Sequence, residues 1–268
     1  MKLEKEKVEK LIEVLKKKGA VEEKPPENVS YRLRKGNGIL MVYDTGSIVY
    51  SGRERERLKE EVIEEILRLE EIPRIGCDEA GKGEFFGPLI VSCICADKEC
   101  LRELLKLGVK DSKKIPKERI PEIAKKIKRS CKGAVRVLKP EKYNEEYGRF
   151  ENVNRLLENI YMDLIGKLLK RCSPKKVVID KFSPNVEKIV RKAFPGINVE
   201  AKPCGEDDVV VAAASIVAKN ERLRVMSELS KELGFSLPEG NVKNKEILSK
   251  IPKEKRLKFV KEHFKIGE

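Results

Sequence analysis

Ile75-Gly76-Cys77-Asp78-Glu79-Ala80-Gly81-Lys82-Gly83-Glu84-Phe85-Phe86-Gly87-Pro88-Leu89-Ile90-Val91 is the stretch from which the rest of the chain can be placed. An apolar lead-in ends in two adjacent carboxylates, Asp78 and Glu79. A tight turn follows at Gly81-Lys82-Gly83, and after Gly87-Pro88 a second apolar run extends to Ala96. Short apolar runs bounded by Gly and Pro read as strand, turn and returning strand. Two acids at a strand end, beside glycines that let backbone approach a ligand, suit a divalent cation held against a phosphate backbone.

Further acids appear downstream in the same position. Lys176-Val177-Val178-Ile179-Asp180 is a short apolar strand ending in an acid, and a strand over 197–202 leads into Cys204-Gly205-Glu206-Asp207-Asp208. Strands that finish at one sheet edge would bring Asp78, Glu79, Asp180 and one of Glu206, Asp207 and Asp208 together. Any one of these acids alone reads as a turn or helix cap; their recurrence next to a Gly-x-Gly turn reads as a site. Oxygen ligands select hard cations, Mg²⁺ or Mn²⁺. The single His263 and the lack of a C-x-x-C pair leave no zinc cluster. Two such ions about 4 Å apart can activate water and steady the leaving oxygen of a phosphodiester. The glycine turn is not a dinucleotide fingerprint, because no third glycine and no helix follow. Its exposed backbone could instead read a sugar 2′-OH, the group that separates RNA from DNA.

Upstream, helical periodicity covers 2–18 and 53–70, enclosing strands at 29–33, 39–43 and 47–50 separated by Gly-containing turns. Residues 1–65 are therefore expected to form a small α+β unit, and residues 66–268 a larger α/β domain with a mixed sheet flanked by helices. Tyr31, Arg32, Arg34 and Lys35 lie close together on the small sheet, whose uncovered face could grip a duplex. In the larger part, strands are expected at 74–78, 89–96 and 134–138, and mostly helical sequence over 141–171. The stretch 207–233 opens with small and β-branched residues and reads as a buried helix. Lys110-Asp111-Ser112-Lys113 lies in a basic loop.

The net charge of +14 points to a polyanionic partner, and nucleic acid is the commonest. It is unevenly placed: residues 1–70 hold 16 basic and 15 acidic side chains, residues 71–268 hold 43 and 30. Runs of alternating sign such as Glu54-Arg55-Glu56-Arg57, with no Trp, resemble heat-adapted surfaces. The seven cysteines, some alternating along an apolar strand, are expected to be reduced, and the location cytoplasmic. No apolar run reaches the length of a membrane span. A monomer is expected.

The segment 76–88 resembles the active-site opening of the type 2 ribonucleases H. Lys110-Asp111-Ser112-Lys113 is similar to their basic loop, Ile179-Asp180 to their third acid strand, and Ala213-Ala214-Ser215-Ile216-Val217-Ala218-Lys219 to a helix motif. Gly-Lys-Gly rather than Gly-Arg-Gly, Asn152-Val153-Asn154 and the segment 41–52 favour the HIII branch over HII. In that branch the N-terminal domain resembles half of the TATA-binding protein. The resemblance implies an RNase H-like catalytic fold, two Mg²⁺ or Mn²⁺ ions, and endonucleolytic cleavage of RNA in RNA/DNA hybrids leaving 5′-phosphate and 3′-hydroxyl ends. By position it assigns Asp78, Glu79, Asp180 and Glu206 to catalysis and metal, with Asp207 or Asp208 as alternatives to Glu206. It assigns Gly81, Lys82 and Gly83 to substrate reading, and Lys113 to a phosphate. Cutting at single ribonucleotides in DNA, as in HII, and non-catalytic hybrid binding are the competing readings.

Overall fold

The computed structural model of the chain describes residues 3–109, 115–240 and 245–264. In helix α1 (Lys5–Lys17), Val8, Leu11, Ile12 and Leu15 share one buried face, the stripe expected from helical spacing. An antiparallel sheet follows in the order β1 (Val21–Glu23), β2 (Val29–Lys35), β3 (Gly38–Tyr43), β4 (Ile48–Gly52). Strand β1 has no counterpart in the expectations. Val21-Glu22-Glu23 is too short and too charged to show a two-residue period. Helix α2 (Arg55–Leu69) then crosses the sheet, and Leu33, Leu40, Val42 and Ile48 are buried in one core with α1 and α2.

That core does not stop at the small unit. The same cluster takes in Leu101, Leu104 and Leu105 of α3 (Lys98–Leu107) and Val209 to Val217 of α8 (Val209–Leu233). Burying each such aliphatic side chain contributes roughly 1.5–3 kcal/mol. The division at 65/66 falls inside α2, and removing residues 1–65 would uncover this shared core as well as any binding face.

The larger part is built on a five-stranded sheet in the order β7-β6-β5-β8-β9. Its strands are β5 (Arg74–Ala80), β6 (Leu89–Ala96), β7 (Lys132–Leu138), β8 (Lys176–Asp180) and β9 (Asn198–Lys202). Strand β6 runs antiparallel to β5 and β7, whereas β8 and β9 run parallel to β5. Parallel pairing of β5 with β8 makes both end at the same edge, which brings Asp78 and Asp180 close. Strand β6 is buried along its whole length, hence an apolar run interrupted only by Ser92.

Helix α8 and helix α4 (Ile120–Ser130) cover one face of the sheet. Helices α5 (Pro140–Phe150), α6 (Val153–Leu169) and α7 (Val186–Ala193) lie on the other side, where Tyr143, Leu156, Tyr161 and Val190 share a core with Ile75, Val177 and Ile179. The expected helical stretch 141–171 is two helices. They part at Glu151, whose φ is 52°, and Asn152 caps α6 by accepting from Asn154 N and Arg155 N. Helix α8 sits unusually close to the sheet because of Gly76. A Cβ placed there would lie 2.4 Å from the Val210 carbonyl carbon and the Val211 nitrogen. The small and β-branched run Val209 to Ala218 is the other half of that close packing.

One expectation is overturned. Six of the seven cysteines are paired, as Cys77–Cys93, Cys95–Cys172 and Cys100–Cys131, and Cys204 is a free, exposed thiol. Cys77 and Cys93 are directly opposite on β5 and β6. Strand register, which the sequence does not display, brings them together. Finally, helix α9 (Lys245–Lys250) and a 3-10 turn precede a C-terminal segment that forms a bridge between Phe86 and Val260. No helix among the described residues is long and apolar enough to cross a membrane.

Candidate active site

A cavity of about 290 Å³ opens at the sheet edge where β5 and β8 end. Asp78, Glu79, Gly81, Lys82, Glu84, Asp180 and Glu206 line it, joined by Ser215, Lys219 and Arg222 of α8. The structure thus brings all four expected acids to one place.

The turn after β9 sends three consecutive acids in different directions. Gly205 N–H donates to Asp180 Oδ1 at 2.8 Å. A Cβ at residue 205 would meet the Asp180 Cα at 2.7 Å, so a glycine is needed for the two strand ends to touch. Glu206 follows immediately and faces the cavity. Asp208 turns the other way: its Oδ1 accepts from Val210 N at 2.8 Å to cap α8, and its Oδ2 pairs with buried Arg74 at 3.2 Å. Asp207 lines a separate cavity of about 170 Å³ with Lys7, Arg74 and Lys202.

Electrostatics set Asp78 and Glu79 apart from ordinary carboxylates. Burial raises Asp78 well above the usual range; the neighbouring Glu79 charge adds to this, and the Ser215 hydroxyl opposes it. Burial pushes Glu79 up to about 7, against the lowering effect of the Tyr161 hydroxyl and the Lys82 ammonium. Tyr161 is fully buried on α6 and donates its O–H to Glu79 Oε2. Among the described residues no three Asp, Glu, His or Cys side chains close tightly around one point; the acids stand around the cavity instead. An oxygen-only donor set in which Asp78 and Glu79 resist ionising beside each other fits a hard divalent cation, which would relieve the repulsion.

The glycine turn is held from several sides. Gly81 has φ 88°, and a Cβ there would lie 2.2 Å from the Pro88 carbonyl oxygen. Lys82 does not extend into solvent: its ammonium donates to the Phe182 carbonyl at 2.9 Å and lies 5.2 Å from the centre of the Phe182 ring. It ties the turn to the loop after Asp180. Gly83 has open space around it. Arg222 pairs with the Glu84 carboxylate.

Other expected residues lie elsewhere. Lys113 is outside the described residues. The four residues of β2 are divided between the two faces of the small sheet. Tyr31 packs against the core and Lys35 pairs with Glu61 of α2. Arg32 and Arg34 both reach Glu23 on β1, on the opposite face. Sequence reasoning assigned no role to Tyr161, Ser215, Lys219 or Arg222. The last three had a readable signal, since they recur at i, i+4 and i+7 on a helix that is otherwise apolar at its start. Tyr161 had none, because its helix face is apolar and Tyr fits that face.

A family model described as "Ribonuclease HII" matches residues 75–266. A ribonuclease HIII of Chlamydia caviae is 37% identical over 259 residues, covering 90% of this chain and 86% of its own. The crystal structure of Aquifex aeolicus RNase H3 superposes with a TM-score of 0.63 at 29% identity, covering 99% of both chains. A second structure, Bst-RNase HIII in complex with Mn²⁺, gives a TM-score of 0.68 at 24% identity and covers 98% of this chain and 94% of that one.

Proposed function

This chain belongs to the ribonuclease HIII branch of the type 2 ribonucleases H, metal-dependent endonucleases that cut the RNA strand of RNA/DNA hybrids, and from that premise we propose how its residues share the work. The meeting of Asp78, Glu79, Asp180 and Glu206 around one cavity carries the proposal. Asp78, Asp180 and Glu206 hold Mg²⁺ or Mn²⁺, and Glu79 assists in metal binding and substrate positioning. Two ions held there would supply the Lewis acidity that hydrolysis of a phosphodiester to 5′-phosphate and 3′-hydroxyl ends requires. Ser215 and Tyr161 aim the Asp78 and Glu79 carboxylates through hydrogen bonds. Lys219 and Arg222 add positive charge to the same wall. The turn Gly81-Lys82-Gly83 meets the ribose, where its backbone can distinguish a 2′-OH.

Residues 1–65 grip the duplex and residues 66–268 carry the chemistry, a division of labour between two units that share a core. Arg32 and Arg34, turned away from the shared core, are the β2 residues assigned to phosphate contact, in exchange for their pairing with Glu23. Lys113, in the basic loop, is a further phosphate ligand. Replacing Arg32 and Arg34 together by Ala is expected to raise KM and leave kcat unchanged. The dependence of log KM on log salt should flatten by roughly 0.9 for each phosphate that is no longer neutralised. An unaltered salt slope would remove the platform role from this face.

We take the protein to act as a monomer: one chain supplies all four acids, so the site needs no residue from a second copy. The compartment is the cytoplasm, where hybrids form during copying of DNA. Paired cysteines do not oppose this, because intracellular disulfides occur in hyperthermophiles, whose charge-rich surfaces this chain shares. The function is tested on two substrates in Mg²⁺ and in Mn²⁺: an RNA/DNA hybrid, and a DNA duplex with one ribonucleotide. Efficient turnover of the hybrid with poor cutting of the single ribonucleotide is expected. The reverse preference would favour HII-like specificity, and no metal-dependent turnover on either would leave a binding protein.

A further inference from the structure

The C-terminal segment reaches back across the molecule to the glycine turn. Gly87 N–H donates to the Phe259 carbonyl at 2.9 Å, and Lys261 N–H to the Phe85 carbonyl at 2.9 Å. Between these two bonds lies the Phe86–Val260 bridge. The segment is fastened on its other side to α5: Asn144 Nδ2 donates to the Val260 carbonyl at 2.9 Å, and Glu262 N–H to Asn144 Oδ1 at 3.0 Å.

Lys261 is the unusual residue of this strap. Its side chain is completely buried, although Lys is almost never so. The ammonium donates to the Gly81 carbonyl at 3.0 Å and the Glu84 carbonyl at 2.7 Å, and lies 5.4 Å from the centre of the Tyr143 ring. Burial pushes its pKa down to about 7, against the pull of the Glu84 charge, so placing an ammonium here carries a real desolvation cost. A core position filled by Met or Leu would avoid that cost. What the ammonium supplies instead is a grip on the two carbonyls that bracket the turn.

The peptide plane converts this grip into an orientation. In a trans peptide the C=O and the following N–H point in opposite directions. With the Gly81 carbonyl drawn toward Lys261, the Lys82 N–H is directed away from it. Glu84 is fixed a second time, because its carboxylate pairs with Arg222.

We propose that Lys261 is a positioning residue for ribose recognition: by anchoring the Gly81 and Glu84 carbonyls it holds the Lys82 amide where a sugar 2′-oxygen can accept from it. This rests on the reading of the turn given above. Loss of the anchor frees the Gly81–Lys82 peptide to rotate, and the enzyme loses its preference for ribose at the reacting position.

The test compares two hybrids using the full-length protein. One has an all-RNA strand; the other is identical except for a single 2′-deoxynucleotide beside the mapped cut. The ratio of kcat/KM values on the two does not depend on how much of a variant is folded. In Lys261→Met the ratio is expected to fall about tenfold, the equivalent of one hydrogen bond. Asn144→Ala, a partly exposed change that loosens the strap, should lower it less. Leu229→Ala, which only weakens the core beneath the strap, should not move it. Should Lys261→Met fail to fold, Asn144→Ala still decides. A wild-type ratio preserved in Lys261→Met, or in Asn144→Ala where it alone folds, overturns the role of Lys261 and leaves the turn's role standing. A wild-type ratio near one overturns the reading of the turn itself, and the present proposal with it.

Discussion

Asp180→Asn is expected to stop cleavage while leaving the fold and hybrid binding in place. The Asp180 side chain does two things, and the substitution separates them. Its Oδ1 accepts the Gly205 N–H at 2.8 Å, a bond that joins the ends of β8 and β9. The amide oxygen of Asn can accept the same bond, so the Gly205 turn and Glu206 stay where they are. The charge is what disappears. Lewis-acid stabilisation of a phosphoryl transition state is worth several kcal/mol, so losing one of its ligands should lower kcat by about 10³-fold or more.

The same variant has a signature that needs no turnover. The Asp180 charge helps to raise both Asp78 and Glu79. Removing a negative neighbour favours the ionised form, so Glu79 should titrate below its present value of about 7. Carboxyl carbon resonances followed by NMR against pH, in metal-free buffer, would report that shift. The variant should melt no lower than wild type under those conditions, since a repulsion has been relieved. Wild-type activity would remove Asp180 from the site. An unmoved Glu79 would mean the acids are not electrostatically linked.

The outcome was only partly legible in the sequence, for physical reasons. Asp78, Glu79 and Asp180 could be read because each ends an apolar strand, and strand polarity carries their ends to one edge. Glu206 was favoured over Asp207 and Asp208 through the family resemblance alone, because strand and turn patterning does not rank them. Consecutive residues in a 3-10 turn point in different directions, and only the turn's placement showed that Asp208 caps α8 and meets Arg74 while Glu206 meets the cavity. Tyr31, Arg32, Arg34 and Lys35 looked like one patch because they are adjacent. The two-residue period of a strand divides them, and a stricter use of that period would have separated Arg32 and Arg34 from the rest. The Cys77–Cys93 pairing depended on strand register, the other two disulfides on how helices and loops pack, and Lys261 on a hydrogen bond 180 residues away along the chain. Neither leaves a local trace.

The largest effect on stability should come from the smallest change, Gly76→Ala. The sheet and α8 meet with almost no gap at residue 76, where an added methyl would lie 2.4 Å from the Val210 carbonyl carbon and the Val211 nitrogen. These are backbone atoms of a helix buried against β5 and β6, so no side chain can swing aside to make room. Either the helix moves away from the sheet or β5 bends. Overpacking of this kind costs about 3 kcal/mol, which for a chain of this size lowers Tm by roughly 6–12 °C. Function should suffer even in the fraction that stays folded. Helix α8 carries Ser215, whose hydroxyl supports Asp78, and Arg222, which holds Glu84 of the turn. A displaced α8 would loosen both the acid pair and the ribose-facing loop. Thermal melting gives the stability change, and kcat measured well below the lowered Tm gives the functional one. A variant melting within a degree or two of wild type would show that α8 does not pack this closely, and the link from Gly76 to the site would fail with it.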